Sequence, residues 1–429
     1  MYAPILLALL PTILAFTTSP NADPSTCQIP FLIPPAFQRS CAPFLSPTVD
    51  LESTPQDASN ISSALIRSLP TLWSHEPYCV HSPSARTTFC VYTRTPFASG
   101  RGLSIICSRE ALSQVTSASA FRNPEPWTVA RPAAAGKYTA TPIPNKGLGN
   151  VATAAISQYE ELHAETPLLL VQDTAMQHVE WDVLFGMLRV AVERLPDKSR
   201  RRFMELHGQF GGDPLYDRIN TNAFNGKVGS GSESWWTVMP ESSRFNHDCR
   251  PNAVYHFDPQ GLTQHIHTVR PIAPGEEITV SYLIPTLTHA ERHQKLKAEW
   301  GFQCDCAACN AAPWAVELSD ARLSLISKLE GHLDDILSRN DASTASAELL
   351  VSLYESERLD GAMADAYVFV ALEWAYVANA EKARQWADKA MAAIGALRGP
   401  WNEWYQSMAK LLVEPEGSPA WDYFARKKA

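Results

Sequence analysis

From residue 19 to about residue 144 the chain has little hydrophobic periodicity and is punctuated by Pro, Ser and Thr, holding more than half of its 32 prolines. Only Phe89-Cys90-Val91-Tyr92 and Leu103-Ser104-Ile105-Ile106 read as strands there, with Gly100-Arg101-Gly102 as the hairpin turn between them. Residues 123–136 read as a linker. Apolar runs at 151–156 and 168–171 predict the next strands. The period then becomes helical: Met176, Val179, Val183, Met187 and Val190 share one face, and Thr174 with Gln177 forms a predicted capping box. A basic helix over 197–207 follows, and residues 226–234 read as a loop. Alternation returns at 253–257, 263–270 and 277–282, which predicts strands of small sheets. A helix starts at Thr288, with Glu291 completing a second capping box. Beyond Pro313 the pattern is helical throughout. Leu323, Ile326, Leu329, Leu333 and Leu337 make one stripe, and 364–378 with 380–394 make a helical hairpin. Its small residues Ala371, Ala383 and Ala390 permit close approach, and Tyr367 and Trp374 fill the gaps.

Composition adds bounds to this picture. With 429 residues, 45% hydrophobic and 19% charged, the chain can bury two or three cores. A formal net charge of −9 argues against direct nucleic-acid binding through a basic face and suits a basic peptide partner. Residues 3–16 are an uncharged apolar run of signal-peptide length, too short to span a bilayer. Residues 1–18 are therefore a possible signal peptide. The sequon Asn60-Ile61-Ser62 and the five cysteines Cys27, Cys41, Cys79, Cys90 and Cys107 fit a secretory passage, although an odd number leaves one thiol over. A buried apolar N-terminus in an intracellular protein is the alternative.

Chemistry concentrates between Arg244 and Asn310. Cys304, Cys306 and Cys309 form C-x-C-x-x-C, three thiols on one loop with spacing suited to a soft cation. Structural zinc requires four ligands, and Cys249 is the nearest candidate for the fourth. The competing reading is that these are buried or disulfide-bonded cysteines without metal.

Taken in order, Asn246-His247-Asp248-Cys249-Arg250-Pro251-Asn252, Gly275-Glu276-Glu277-Ile278-Thr279-Val280-Ser281-Tyr282 and the C-x-C-x-x-C resemble the SET-domain protein-lysine methyltransferases. Lys146-Gly147-Leu148-Gly149 resembles the first motif of that family, and the branch is SMYD-like, without a MYND finger. The resemblance implies an α+β fold: small β-sheets, a helical insert, a post-SET zinc loop, and an all-α C-terminal domain similar to tetratricopeptide repeats. It divides the chain into an N-terminal region at 19–135, a SET plus post-SET domain at 136–310 and a helical domain at 311–429. It also implies S-adenosylmethionine as methyl donor, a structural zinc ion, and a protein or peptide substrate presenting lysine. Tyr282 would orient the amine. Lys146, Gly147, Leu148, Gly149, Asn222, Asn246, His247 and Phe302 would hold the cofactor, with Phe302 stacked on the adenine. Asp248 stands where the family usually has Ser. The helical domain is either a packing lobe or a partner site. Two further classes stay open: an interaction scaffold without turnover, and a secreted protein with disulfides in place of zinc.

Overall fold

The computed structural model describes residues 72–122, 134, 136–229 and 231–428. The apolar run at 3–16, Cys27, Cys41 and the Asn60 sequon lie outside the described residues. The chain opens with a meander of β1 (Tyr78–Ser82), β2 (Thr87–Arg94) and β3 (Leu103–Ser108), followed by helix α1 (Arg109–Ser117). Next come the hairpin β4 (Tyr138–Ile143) and β5 (Gly147–Ala152), then β6 (Glu161–Glu165) and β7 (Leu169–Gln172). Four helices intervene: α2 (Asp173–His178), α3 (Trp181–Glu193), α4 (Asp197–Met204) and α5 (Pro214–Asn222). The chain returns through β8 (Phe224–Gly226), β9 (Trp235–Val238), β10 (Asn246–His247), β11 (Ala253–Asp258), β12 (Thr263–Thr268) and β13 (Glu277–Val280). Thereafter it is helical: α6 (His289–Trp300), α7 (Pro313–Asp334), α8 (Thr344–Ser356), α9 (Met363–Tyr376), α10 (Ala380–Arg398), α11 (Glu403–Val413) and α12 (Tyr423–Lys428). None of the described helices is long and apolar enough to cross a membrane.

Three sheets form, ordered β1-β2-β3-β7-β9-β8, β10-β13-β5-β4 and β11-β12-β6. The first crosses the boundary expected at residue 136, because β3 pairs in parallel with β7. All six residues of β3 are buried, so it needs a partner on each edge and cover on both faces. Ile106 points toward the α3 side with Met187 and Leu188, whereas Leu103 and Ile105 point toward α1 with Leu112 and Val115. The predicted hairpin between β2 and β3 is present, and Arg101 in its turn is tied to Glu165 and Glu241 by ion pairs. Cys79 and Cys90, register partners on β1 and β2, are joined by a disulfide, while Cys107 is a free buried thiol.

Several expected elements are adjusted. The helix predicted through Met176 and Val190 is two helices, because Val179 turns to extended backbone at ψ 132°. This break lets Val179 and Leu184 enter the same core. The capping box at Thr174 does not form; the helix starts at Asp173, whose carboxylate accepts a bond from Gln177 Nε2 at 2.6 Å. The Thr288–Glu291 box does form, and Gly301 ends α6 at φ +74°, a left-handed conformation that suits glycine. In α7 the stripe stops at Leu333, and Leu337, beyond the helix end at Asp334, is 77% exposed. Strand 151–156 ends at Ala152, with Ile156 making only an isolated bridge to Ile272. The strands predicted to reach Arg270 and Tyr282 end at Thr268 and Val280. The α9–α10 hairpin is as expected: Ala371, Ala383 and Ala390 are fully buried between the helices.

Helix α10 and the exposed Trp401 pack over β11 and β12, where three imidazoles stack. His256 lies 4.9 Å from His265 and 5.5 Å from His267, ring to ring. Glu161 on β6 pairs with His265, and Arg398 of α10, itself bonded to Asp365, adds positive charge. Burial, reinforced by His265 and opposed by Glu161, lowers His267 from 6.5 to about 4. A folded-state pKa below the unfolded value means that the unfolded chain takes up the proton first. Stability is therefore full above about pH 6.5 and is lost as pH falls toward 4. We expect protonation of this stacked histidine group to destabilise the fold by on the order of a few kcal/mol at pH 4.5. Urea titrations at pH 7.5 and 4.5 should show a smaller acid loss in His267→Gln than in the unmodified protein; equal losses would refute this.

Candidate active site and metal centre

The site gathers where the turn after β4 meets β10 and β13. Gly147 adopts φ +73° and opens β5, which runs on through Leu148 and Gly149. A Cβ at Gly149 would stand 2.5 Å from Asn246 Nδ2 and 2.7 Å from Glu277 Oε1, so only glycine allows this approach. Asn246 Nδ2 donates to Glu277 Oε1 at 2.8 Å and to the Leu148 carbonyl at 3.4 Å. Lys146 Nζ lies 3.3 Å from the other Glu277 oxygen. Glu277 thus joins Lys146 to Asn246, a role that sequence reasoning missed. Asn252 was missed as well: fully buried, it donates to Glu276 Oε1 and the Glu277 carbonyl and accepts from Thr279 N at 2.9 Å. The signal for both was their place within the segments Asn246–Asn252 and Gly275–Tyr282.

The His247 ring faces inward. Its Nδ1 accepts from the Tyr282 backbone N–H at 3.0 Å, and its Nε2 is 3.4 Å from Cys249 Sγ. Burial lowers its pKa to about 4, so the ring is neutral and Nδ1 remains free to accept. The side chain is therefore committed to the protein. Tyr282, two residues beyond β13, donates its hydroxyl to the Phe245 carbonyl at 3.1 Å. Its ring lies 5.2 Å from His247 and 5.4 Å from Trp300. Burial, with Tyr255 and Glu277 adding to it, raises the phenol well above its ordinary range, which keeps the hydroxyl neutral. Burial likewise raises Asp248 to about 6.

Cys249, Cys304, Cys306 and Cys309 are buried free thiols whose sulfurs all lie within 4.8 Å of one another. Soft ligands in this number and proximity suit one zinc ion. The alternative in which disulfides replace the metal finds no support in this arrangement. Phe302 packs against the cluster together with Trp300, 6.1 Å from the His247 ring. Asn222 is placed differently from its neighbours in the predicted set. It ends α5, and its Nδ2 donates to the carbonyls of His207 at 2.7 Å and Arg218 at 2.8 Å. Only its carbonyl turns toward the segment before Asn246, accepting from Ser243 Oγ.

Residues 147–283 match the SET domain family. Over 300 residues the chain is 26% identical to the histone-lysine N-methyltransferase set5 of Schizosaccharomyces pombe, covering 67% of this chain and 89% of that protein. It is 38% identical over 72 residues to the human histone-lysine N-methyltransferase SMYD3, covering 17% of this chain and 16% of that protein. It is 28% identical over 95 residues to the N-lysine methyltransferase SMYD2-B of Danio rerio, covering 22% and 21% respectively. The chain spans only about a fifth of the SMYD proteins it matches, but most of the fission-yeast protein. The turn at Gly147, the Asn246 strand and Tyr282 all fall within the matched residues, and the chain carries a SET domain similar to those of the protein-lysine methyltransferases.

Proposed function

We propose that the protein transfers a methyl group from S-adenosylmethionine to a lysine of a protein substrate. The observation that carries this reading is the convergence of Gly149, Asn246 and Glu277 beside Tyr282 within the SET match. When bound, S-adenosylmethionine supplies an electrophilic methyl on a sulfonium. The residues of the chain would do the remaining work. The 146–149 turn would present backbone groups to the amino-acid end of the cofactor, and Asn246 would add a side-chain contact. His247 would contribute through its backbone, since its ring is engaged with Tyr282 and Cys249. Phe302 would pack on the adenine, and Asn222 would act through its carbonyl.

A lysine ammonium costs about 4–5 kcal/mol to deprotonate at pH 7. An apolar aromatic channel lowers that cost by desolvating the charge, after which alignment is the main requirement. The Tyr282 phenol, neutral and held by the Phe245 carbonyl, is suited to orient the amine. The four cysteines would hold zinc and so fix the tail that carries Phe302. The C-terminal helices would form a tetratricopeptide-like lobe against which a protein partner could dock.

Calorimetry on the full chain should show S-adenosylmethionine binding and a peptide array should show lysine methylation. Gly149→Ala, whose Cβ displaces Asn246, should weaken that binding at least tenfold, or about 1.4 kcal/mol. A folded protein that binds no S-adenosylmethionine would overturn the proposal.

A further inference from the structure

The first turns of α6 lie against the cysteine cluster and carry two histidines one helical turn apart. His289 and His293 are half-buried, with ring centroids 4.4 Å apart. A ring nitrogen of each and the sulfur of Cys309 all lie within 4.8 Å of one another. Tetrahedral zinc with bonds of about 2.0–2.3 Å separates its ligand atoms by about 3.5 Å, so small side-chain rotations close the gap. His289 Nε2 is 3.1 Å from the Cys309 carbonyl, and its backbone N–H donates to Asp320 Oδ1 at 2.8 Å. The Nε2 atom of His293 is buried and makes no hydrogen bond. A buried ring nitrogen left unpaired loses solvation without return, and a metal ion would restore it.

Charge points the same way. Four thiolates around one zinc ion leave a net charge of −2, and the neighbouring cation at the cluster, the buried Arg292, offsets half of it. The remaining charge of −1 favours a further cation beside the cluster, and a second divalent ion carried by two neutral imidazoles would bring the sum to +1.

We propose that His289, His293 and Cys309 form a second divalent-metal site of the zinc class, with Cys309 as the thiolate shared between two ions. Its fourth position is left for water or another ligand. The site clamps the start of α6 onto the 304–309 loop, so its occupancy controls how firmly the segment carrying Phe302 is held. The inference rests on the four-cysteine zinc reading, because Cys309 belongs to both.

The test uses the reduced full-length protein, loaded with excess zinc, desalted and assayed for metal by mass spectrometry, alongside a cobalt(II) titration followed in the visible. The unmodified chain should retain two equivalents, and the pair His289→Ala/His293→Ala should retain one. The second cobalt equivalent should change the spectrum only in the unmodified chain. The single variant His293→Asn gives the same readout if the alanine pair perturbs α6 by circular dichroism. One equivalent in all proteins overturns the second site and leaves the four-cysteine site standing. Two equivalents in all of them also overturns it, by placing the second ion elsewhere. A metal-free reduced protein overturns both readings.

Discussion

Cys306→Ala should release the zinc ion and unfold the segment from Phe302 to Asn310, with S-adenosylmethionine binding lost as a consequence. Cys306 is buried and joins three other thiols whose geometry tolerates no three-ligand substitute for a structural ion. Zinc in a small site of this kind stabilises by on the order of 10 kcal/mol. Few apolar contacts could replace that, because the cluster consists of the cysteines themselves with Leu283, Leu296 and a rim of half-buried side chains. The damage should also reach the active site. With Nδ1 accepting from Tyr282 N, the neutral His247 carries its proton on Nε2, which faces Cys249. Loss of the zinc-bound thiolate removes that partner, frees the ring and loosens the backbone of Tyr282. A chromogenic chelator assay should read the zinc release, and limited proteolysis should cut within 302–310. A variant with full zinc content and a protected tail would sink the assignment.

The second large effect separates holding the cofactor from aligning the substrate. Asn246→Ala removes the side chain that ties the Leu148 carbonyl to Glu277 and leaves the Glu277 carboxylate paired with Lys146 alone. S-adenosylmethionine affinity should fall by about 1–3 kcal/mol, measured by calorimetry. Tyr282→Phe keeps the ring between His247 and Trp300 and deletes only the hydroxyl on Phe245. Affinity should remain nearly unchanged while turnover falls by on the order of 10²-fold, or the number of methyls added changes, because the interaction is made mainly in the transition state. Unchanged rate and product distribution on a verified peptide would remove Tyr282 from the catalytic role.

Much of this was legible in the chain itself. Three thiols within six positions have few fates, and the structure brings Cys249 to them across the β10–β13 pairing. The helical C-terminal region declared itself because its apolar residues repeat with the period of a helix, and close packing of α9 on α10 demands small side chains such as Ala371 and Ala383. Among the small-sheet strands β12 alternates, with Ile266 and Thr268 buried and His265 and His267 half-buried between them.

Tertiary contacts decided what local pattern cannot encode. Parallel pairing of β3 with β7 links segments far apart in sequence, and nothing near Leu103 or Leu169 announces the partner. The break at Val179 leaves the helical period almost intact, so it became visible only where Val179 and Leu184 pack into one core. Leu337 continues a stripe that the helix itself abandons. Glu277 looks like an ordinary charge near a strand edge until folding sets Lys146 and Asn246 against its two oxygens. Residue type and short spacing carry the chemistry, so the amino-acid order already states which reactive groups are present. Folding alone determined which side chains remain free to use that chemistry, because a hydrogen bond such as that from Tyr282 N to His247 depends on partners no neighbouring residue specifies.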